Sequence, residues 1–126
     1  MRSIAALVFP GFETLDLFGP IEMFGMLSEE FSLSIVAEHE GEVASTHGQR
    51  VCVDHTFSAA EHFDMLLIPG GPGTRTQVDN PAMMDWLKAK AAQAEIVMSV
   101  CTGSALLAKA GLLDGRKATS NKMSFA

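Results

Sequence analysis

Cys101 is the residue of this chain best placed for covalent chemistry. The apolar run Ile96-Val97-Met98-Ser99-Val100 ends on it, small residues follow, and Ala105-Leu106-Leu107-Ala108-Lys109-Ala110 reads as helix. That order predicts a strand, a sharp turn carrying the thiol, and a helix, the mechanics of a nucleophile elbow. At the amino end of a helix, free backbone N–H groups and the positive end of the dipole favour a thiolate. The competing possibility is an inert buried cysteine. Val51 and Val53 alternate with Cys52 and Asp54, so Cys52 shares the less buried strand face with an aspartate, which argues against a catalytic role.

A reacting thiolate needs a group that handles protons and donors for developing negative charge. Asp16 is the candidate for the first. Beside a thiolate, like-charge repulsion favours a protonated carboxyl group, which can donate to sulfur and act as general acid and base. Taken alone, Asp16 also fits an ordinary surface charge near a helix start. Gly70 and Gly71 form a strand-end turn where backbone can approach a ligand closely, so the N–H groups of Gly71 and Thr102 are candidate oxyanion donors. His39, His47, His55 and His62 lie in polar, turn-like stretches, so solvent exposure is expected for them, and a Cys-His pair is weakly supported. No metal-ligand spacing links these histidines and the cysteines. Gly70-Gly71-Pro72-Gly73 fits neither a phosphate loop nor a dinucleotide fingerprint.

The elements that must position these residues follow from the apolar runs. Ser3–Phe9 is a buried strand closed by Pro10-Gly11. Glu13 to Leu27 is helical, and Gly19-Pro20 predicts a broken or kinked helix, or one whose first turn precedes Pro20. Phe31 to Ala37 is a second strand. Residues 38 to 42 form an acidic surface turn, and Val43 to Val53 holds two short β pieces broken at Gly48. Ser58-Ala59-Ala60-Glu61 has capping-box spacing and predicts a short helix. Asp64 to Pro69 is the next buried strand. Asn80-Pro81 opens a helix running to about Ala94, with Met83, Leu87 and Ala91 as its inner stripe and Lys88 and Lys90 solvated. Past the cysteine helix, closed by Gly111, Lys117-Ala118-Thr119 is a strand. Ser120-Asn121 reads as the N-cap of a further helix. Alternating strands and helices imply an open, mostly parallel α/β sheet with right-handed crossovers. In such sheets sites gather outside the carboxyl ends of the strands, and Asp16, Gly70-Gly71 and Cys101 all fall there.

Composition sets the outer bounds. The chain has 126 residues, 48% hydrophobic and 19% charged, with a net charge of −6. That is one domain of ordinary globular composition. The acidic balance argues against nucleic acid or an anionic membrane as a partner and suits a small-molecule substrate. Two cysteines make no disulfide framework. No apolar stretch approaches the roughly 18 residues of a membrane span, and the first apolar run lacks a cleavage site. A cytoplasmic protein is expected.

Four ordered motifs together resemble the DJ-1/PfpI superfamily, and within it most closely the isonitrile hydratase branch. They are Leu15-Asp16-Leu17-Phe18-Gly19-Pro20, Ile68-Pro69-Gly70-Gly71, Val100-Cys101-Thr102-Gly103-Ser104 and Ala118-Thr119-Ser120-Asn121. The resemblance implies a flavodoxin-like sheet of the class I glutamine amidotransferase type, with helices on both faces, and a homodimer. It implies Cys101 as nucleophile, Asp16 as its carboxylic partner, Gly70, Gly71 and Thr102 around the site, and no cofactor. The implied reaction adds water to an isonitrile to give an N-substituted formamide. Thr102 stands where protease-like members carry a histidine, which counts against peptidase activity. The family domain extends beyond the length given, so residues 1–126 are expected to form its N-terminal portion, roughly two thirds, incomplete at the C-terminus. The alternatives are the ligand-sensing domain of an AraC-type regulator and a thiol stress-response or glyoxalase-like protein. Aspartate rather than glutamate at position 16 speaks mildly against the last.

Overall fold

A computed structural model describes residues 1–59, 61–100, 102–111 and 118–121. β1 (Arg2–Leu7) is followed by α1 (Thr14–Gly25) and β2 (Phe31–Ala37). A hairpin, β3 (Glu42–Ala44) and β4 (Arg50–Cys52), leads to the two-residue β5 (His55–Thr56). Then come β6 (Met65–Ile68), the one-turn α2 (Thr74–Gln77), α3 (Pro81–Gln93), β7 (Ile96–Val100), α4 (Gly103–Lys109) and β8 (Ala118–Asn121).

The main sheet has the order β5-β2-β1-β6-β7-β8, with every pair parallel. The β3-β4 hairpin forms a separate antiparallel pair. Setting aside the short β5, this is the flavodoxin-like arrangement expected from the sequence. Its physical origin is the continuous burial of the strands. Ile4 to Phe9 and Leu66 to Ile68 are at most 2% exposed, as strands covered on both faces must be. The register pairs Ile4 with Met65 and Val36 with His55. From β1 the chain crosses to β2 on one side, then returns to β6 on the other, so strand order reverses between β1 and β6. The crevice outside their carboxyl ends is the topological switch point.

The helices show where sequence and structure part. α1 begins at Thr14, so its first turn precedes Pro20, and the helix continues through the buried proline to Gly25. α3 starts as expected: Asn80 accepts from the Ala82 N–H at 3.1 Å, Pro81 opens the helix, and Met83, Leu87 and Ala91 are buried. Trp86 joins them and stacks on Phe57 at 4.8 Å. Lys90 is not simply solvated, since its Nζ donates to the Glu61 carbonyl at 2.6 Å. The helix expected at 58–61 is replaced, among the described residues of that stretch, by a turn. The Ser58 hydroxyl that would cap it is hydrogen-bonded to the Thr56 hydroxyl at 2.8 Å, a local contact that competes with helix initiation. β8 runs through Asn121, which is paired with Val100, so Ser120-Asn121 continues a strand rather than standing outside one. No described helix is long and apolar enough to cross a membrane.

Candidate functional site

The loop after β1 and the turn after β6 meet at the switch point through Gly70. Its carbonyl accepts from the Glu13 N–H at 2.9 Å, and its N–H donates to Asp16 Oδ2 at 3.2 Å. Glu13 is the residue before α1, and its side chain makes no capping bond. The first turn of α1 is thus docked on Gly70 by one backbone and one side-chain bond. Asp16 is 5% exposed, so it is a buried carboxyl group and not the surface charge its local sequence also allowed. A buried carboxyl oxygen needs such a donor.

Gly71 takes φ +120°, a conformation that favours glycine. A Cβ on it would stand 2.5 Å from the Glu13 nitrogen and 2.7 Å from the Gly11 carbonyl oxygen. A Cβ on Gly70 would stand 2.6 Å from both the nitrogen and Oγ1 of Thr102. Glycine at both positions therefore lets the turn after β6 press against the start of α1 on one side and the turn before α4 on the other. The Gly71 N–H donates to Thr102 Oγ1 at 2.9 Å, so this donor, a candidate for developing charge, is engaged by a threonine hydroxyl. Gly103 packs where a Cβ would strike the Ile68 and Pro69 carbonyl oxygens. Cys101 lies outside the described residues. Val100 before it ends β7, and Gly103 just after it opens α4.

A cleft of about 300 Å³ opens here, lined by Glu13, Asp16, Gly71, Pro72, Thr74, Arg75 and Thr102. Asp16, Gly71 and Thr102 are thus brought to one cleft, whereas Gly70 does not line it and acts through its bond to Asp16. Thr74 and Arg75 were missed at sequence level because α2 has no apolar periodicity. Thr74 is buried and donates through Oγ1 to the Gly71 carbonyl at 2.8 Å. The available signal was a threonine three residues after a glycine turn. The hairpin braces the same region: Thr14 Oγ1 donates to Ser45 Oγ at 2.9 Å, and His47 Nε2 lies 3.7 Å from the Glu13 carboxylate. His39, His47 and His62 are exposed, while His55 is half-buried against Phe63. Cys52 is exposed. Among the described residues no three His, Cys, Asp or Glu side chains are grouped to hold a metal ion.

Residues 2–125 match the model of the DJ-1/PfpI family. The chain is 35% identical over 118 residues to an isonitrile hydratase of Pseudomonas putida, an alignment covering 94% of this chain and 51% of that protein. It is 46% identical over 50 residues to the HTH-type transcriptional regulator Rv1931c of Mycobacterium tuberculosis, covering 40% of this chain and 19% of the regulator. The crystal structure of a ThiJ/PfpI family protein from Pseudomonas syringae superposes with a TM-score of 0.83 at 34% identity, covering 88% of this chain and 46% of that one. The chain therefore spans about half the length of the hydratase and of this solved relative.

Proposed function

The chain belongs to the DJ-1/PfpI family, and from that premise we propose that it carries the reacting residues of a cysteine-dependent hydro-lyase. The enzyme adds water to an isonitrile, R–N≡C, and releases the formamide R–NH–CHO. One observation carries this reading: the buried Asp16 carboxyl group, fixed on the Gly70 N–H, shares a cleft with Thr102, the residue next to Cys101. The likeness to the Pseudomonas putida hydratase supports the substrate class.

In the proposed cycle the Cys101 thiolate forms a bond to the terminal carbon, and protonated Asp16 delivers its proton to that carbon. The product is a thioimidate, R–N=CH–S–Cys101. Water then adds its oxygen to the same carbon, and one of its protons passes through Asp16 to nitrogen. The C–S bond breaks with its electron pair returning to sulfur. The remaining hydroxyl proton goes to Asp16, which restores both groups. Thr102 and the turn at Gly70-Gly71 position the reacting atoms. Thr102 in place of a histidine argues against peptide hydrolysis. The substrate is a small molecule, and the proposed assembly is a homodimer.

The test is formamide production from cyclohexyl isonitrile. Cys101→Ala abolishes it, and Asp16→Asn lowers kcat by about 10²–10⁴-fold while leaving the fold intact, because an amide oxygen can still accept from Gly70. Full turnover by Cys101→Ala would remove the nucleophile. A second reading, a ligand-sensing domain, is favoured by the 46% identity to the regulator over 50 residues. It predicts that the isonitrile binds with no formamide formed, and that Cys101→Ala binds as tightly as the parent.

A further inference from the structure

A second cavity, of about 320 Å³, opens at the carboxyl ends of β1 and β2 and shares no lining residue with the cleft. α2 lies between the two, with Thr74 and Arg75 on the cleft and Gln77 on the cavity. The cavity floor is apolar, formed by the buried Val8, Phe9, Val43 and Met83. Its rim carries Glu38, Glu40 and Glu42. The basic groups facing these are His39, 3.6 Å from Glu38, and Arg50, 3.4 Å from Glu42. Glu40 has no ion-pair partner among the described residues.

Gln77 shows what else a ligand must offer. It is 8% exposed, and its orientation is set by a chain of hydrogen bonds. Asn80 Oδ1 accepts from the Ala82 N–H, which turns Asn80 Nδ2 toward Glu38 Oε1 at 2.8 Å and Gln77 Oε1 at 2.9 Å. With its oxygen so engaged, Gln77 presents Nε2 as a donor. That nitrogen has no hydrogen-bond partner among the described residues and is not sealed from solvent. A nearly buried amide donor opening on an apolar cavity calls for an acceptor on whatever fills it.

We propose that this cavity is a binding site for a small amphipathic ammonium compound that also carries an oxygen acceptor, such as an amino amide or amino alcohol. The apolar body covers Val8, Val43 and Met83, the ammonium faces Glu38 and Glu40, and the oxygen accepts from Gln77 Nε2. The site stands independently of the chemistry assigned to Cys101.

The experiment titrates the full chain with leucinamide and reads methyl resonances of Val8, Val43 and Met83. Two analogues each remove one group: 4-methylpentanamide lacks the ammonium, and isopentylamine lacks the oxygen. Leucinamide shifts these methyls saturably, and each analogue binds at least about fivefold more weakly. Glu40→Gln, on an exposed loop, weakens leucinamide by about threefold or more and leaves the far-UV spectrum unchanged. No saturable shift with leucinamide, 4-methylpentanamide binding as well as leucinamide, or unchanged affinity in Glu40→Gln would each overturn the assignment.

Discussion

Gly71 joins backbone conformation to the chemistry proposed for the cleft. Its φ of +120° and the 2.5 Å approach of the Glu13 nitrogen leave no room for a methyl group. Gly71→Ala is expected to cost about 3 kcal/mol in urea unfolding and to lower turnover as well, because the start of α1 and Thr102 move with the turn. Gly19, in α1, is the control: its Cβ would meet nothing within 4 Å, so Gly19→Ala is expected to gain about 0.5–1 kcal/mol. At this scale the sequence was partly legible. The position of Asp16 just past a buried strand was enough to place it at the sheet's carboxyl edge. That its carboxyl group would be held by Gly70, and that Thr102 Oγ1 would take the Gly71 N–H, depends on contacts between segments 54 and 31 residues apart. No local pattern encodes those.

Among the described elements, α1 has an unusual outer face. Leu17 and Pro20 are buried, yet Leu15 is 65% exposed, Met23 59% and Met26, at its end, 76%, with Phe18 also exposed. A helix with apolar residues on both sides has a second surface to cover, and the homodimer proposed above would cover it. Leu15→Glu combined with Met23→Glu is expected to turn a dimer into a monomer in sedimentation velocity without loss of helix content. Unchanged sedimentation would move the contact elsewhere. Apolar elements were legible because burial leaves a mark in them: unbroken apolar runs in β1 and β6, an apolar run in β7, and a helical stripe in α3. Polar ones were not. α2 is Thr74-Arg75-Thr76-Gln77, polar throughout, and it forms because the Gly73 N–H reaches the Gly11 carbonyl and Thr74 folds back on Gly71. At 58–61 the cap pattern was present but Ser58 found a nearer partner.

For the molecule as a whole, the β1–β6 pairing is what unites the two halves of the sheet, and Asp64 clamps its starting edge. Its Oδ2 accepts from the Ser3 N–H at 2.9 Å, and His62 lies 3.3 Å from Oδ1. The backbone bond from Ser3 is the main reason its carboxyl is held below the ordinary 3.8; desolvation opposes it, and the Ser3 hydroxyl and His62 assist. A carboxyl group lowered in the folded state stabilises the fold fully above its unfolded value, and that contribution is lost as pH falls through the lowered one. Asp64→Asn is therefore expected to melt below the parent at about pH 6 and to match it at about pH 2, read by thermal denaturation across pH. A half-buried clamp of this kind gives a modest difference.

The Asp16–Gly70 bond has a consequence in time. Its partners are 54 residues apart, and every pairing in the main sheet is parallel and non-local, so no hairpin seeds it. Only when β6 slots beside β1 does Gly70 arrive to receive that carboxyl group, and the cleft cannot exist before then. The cleft is thus a product of long-range assembly, formed only once the central strand β1 is flanked on both sides.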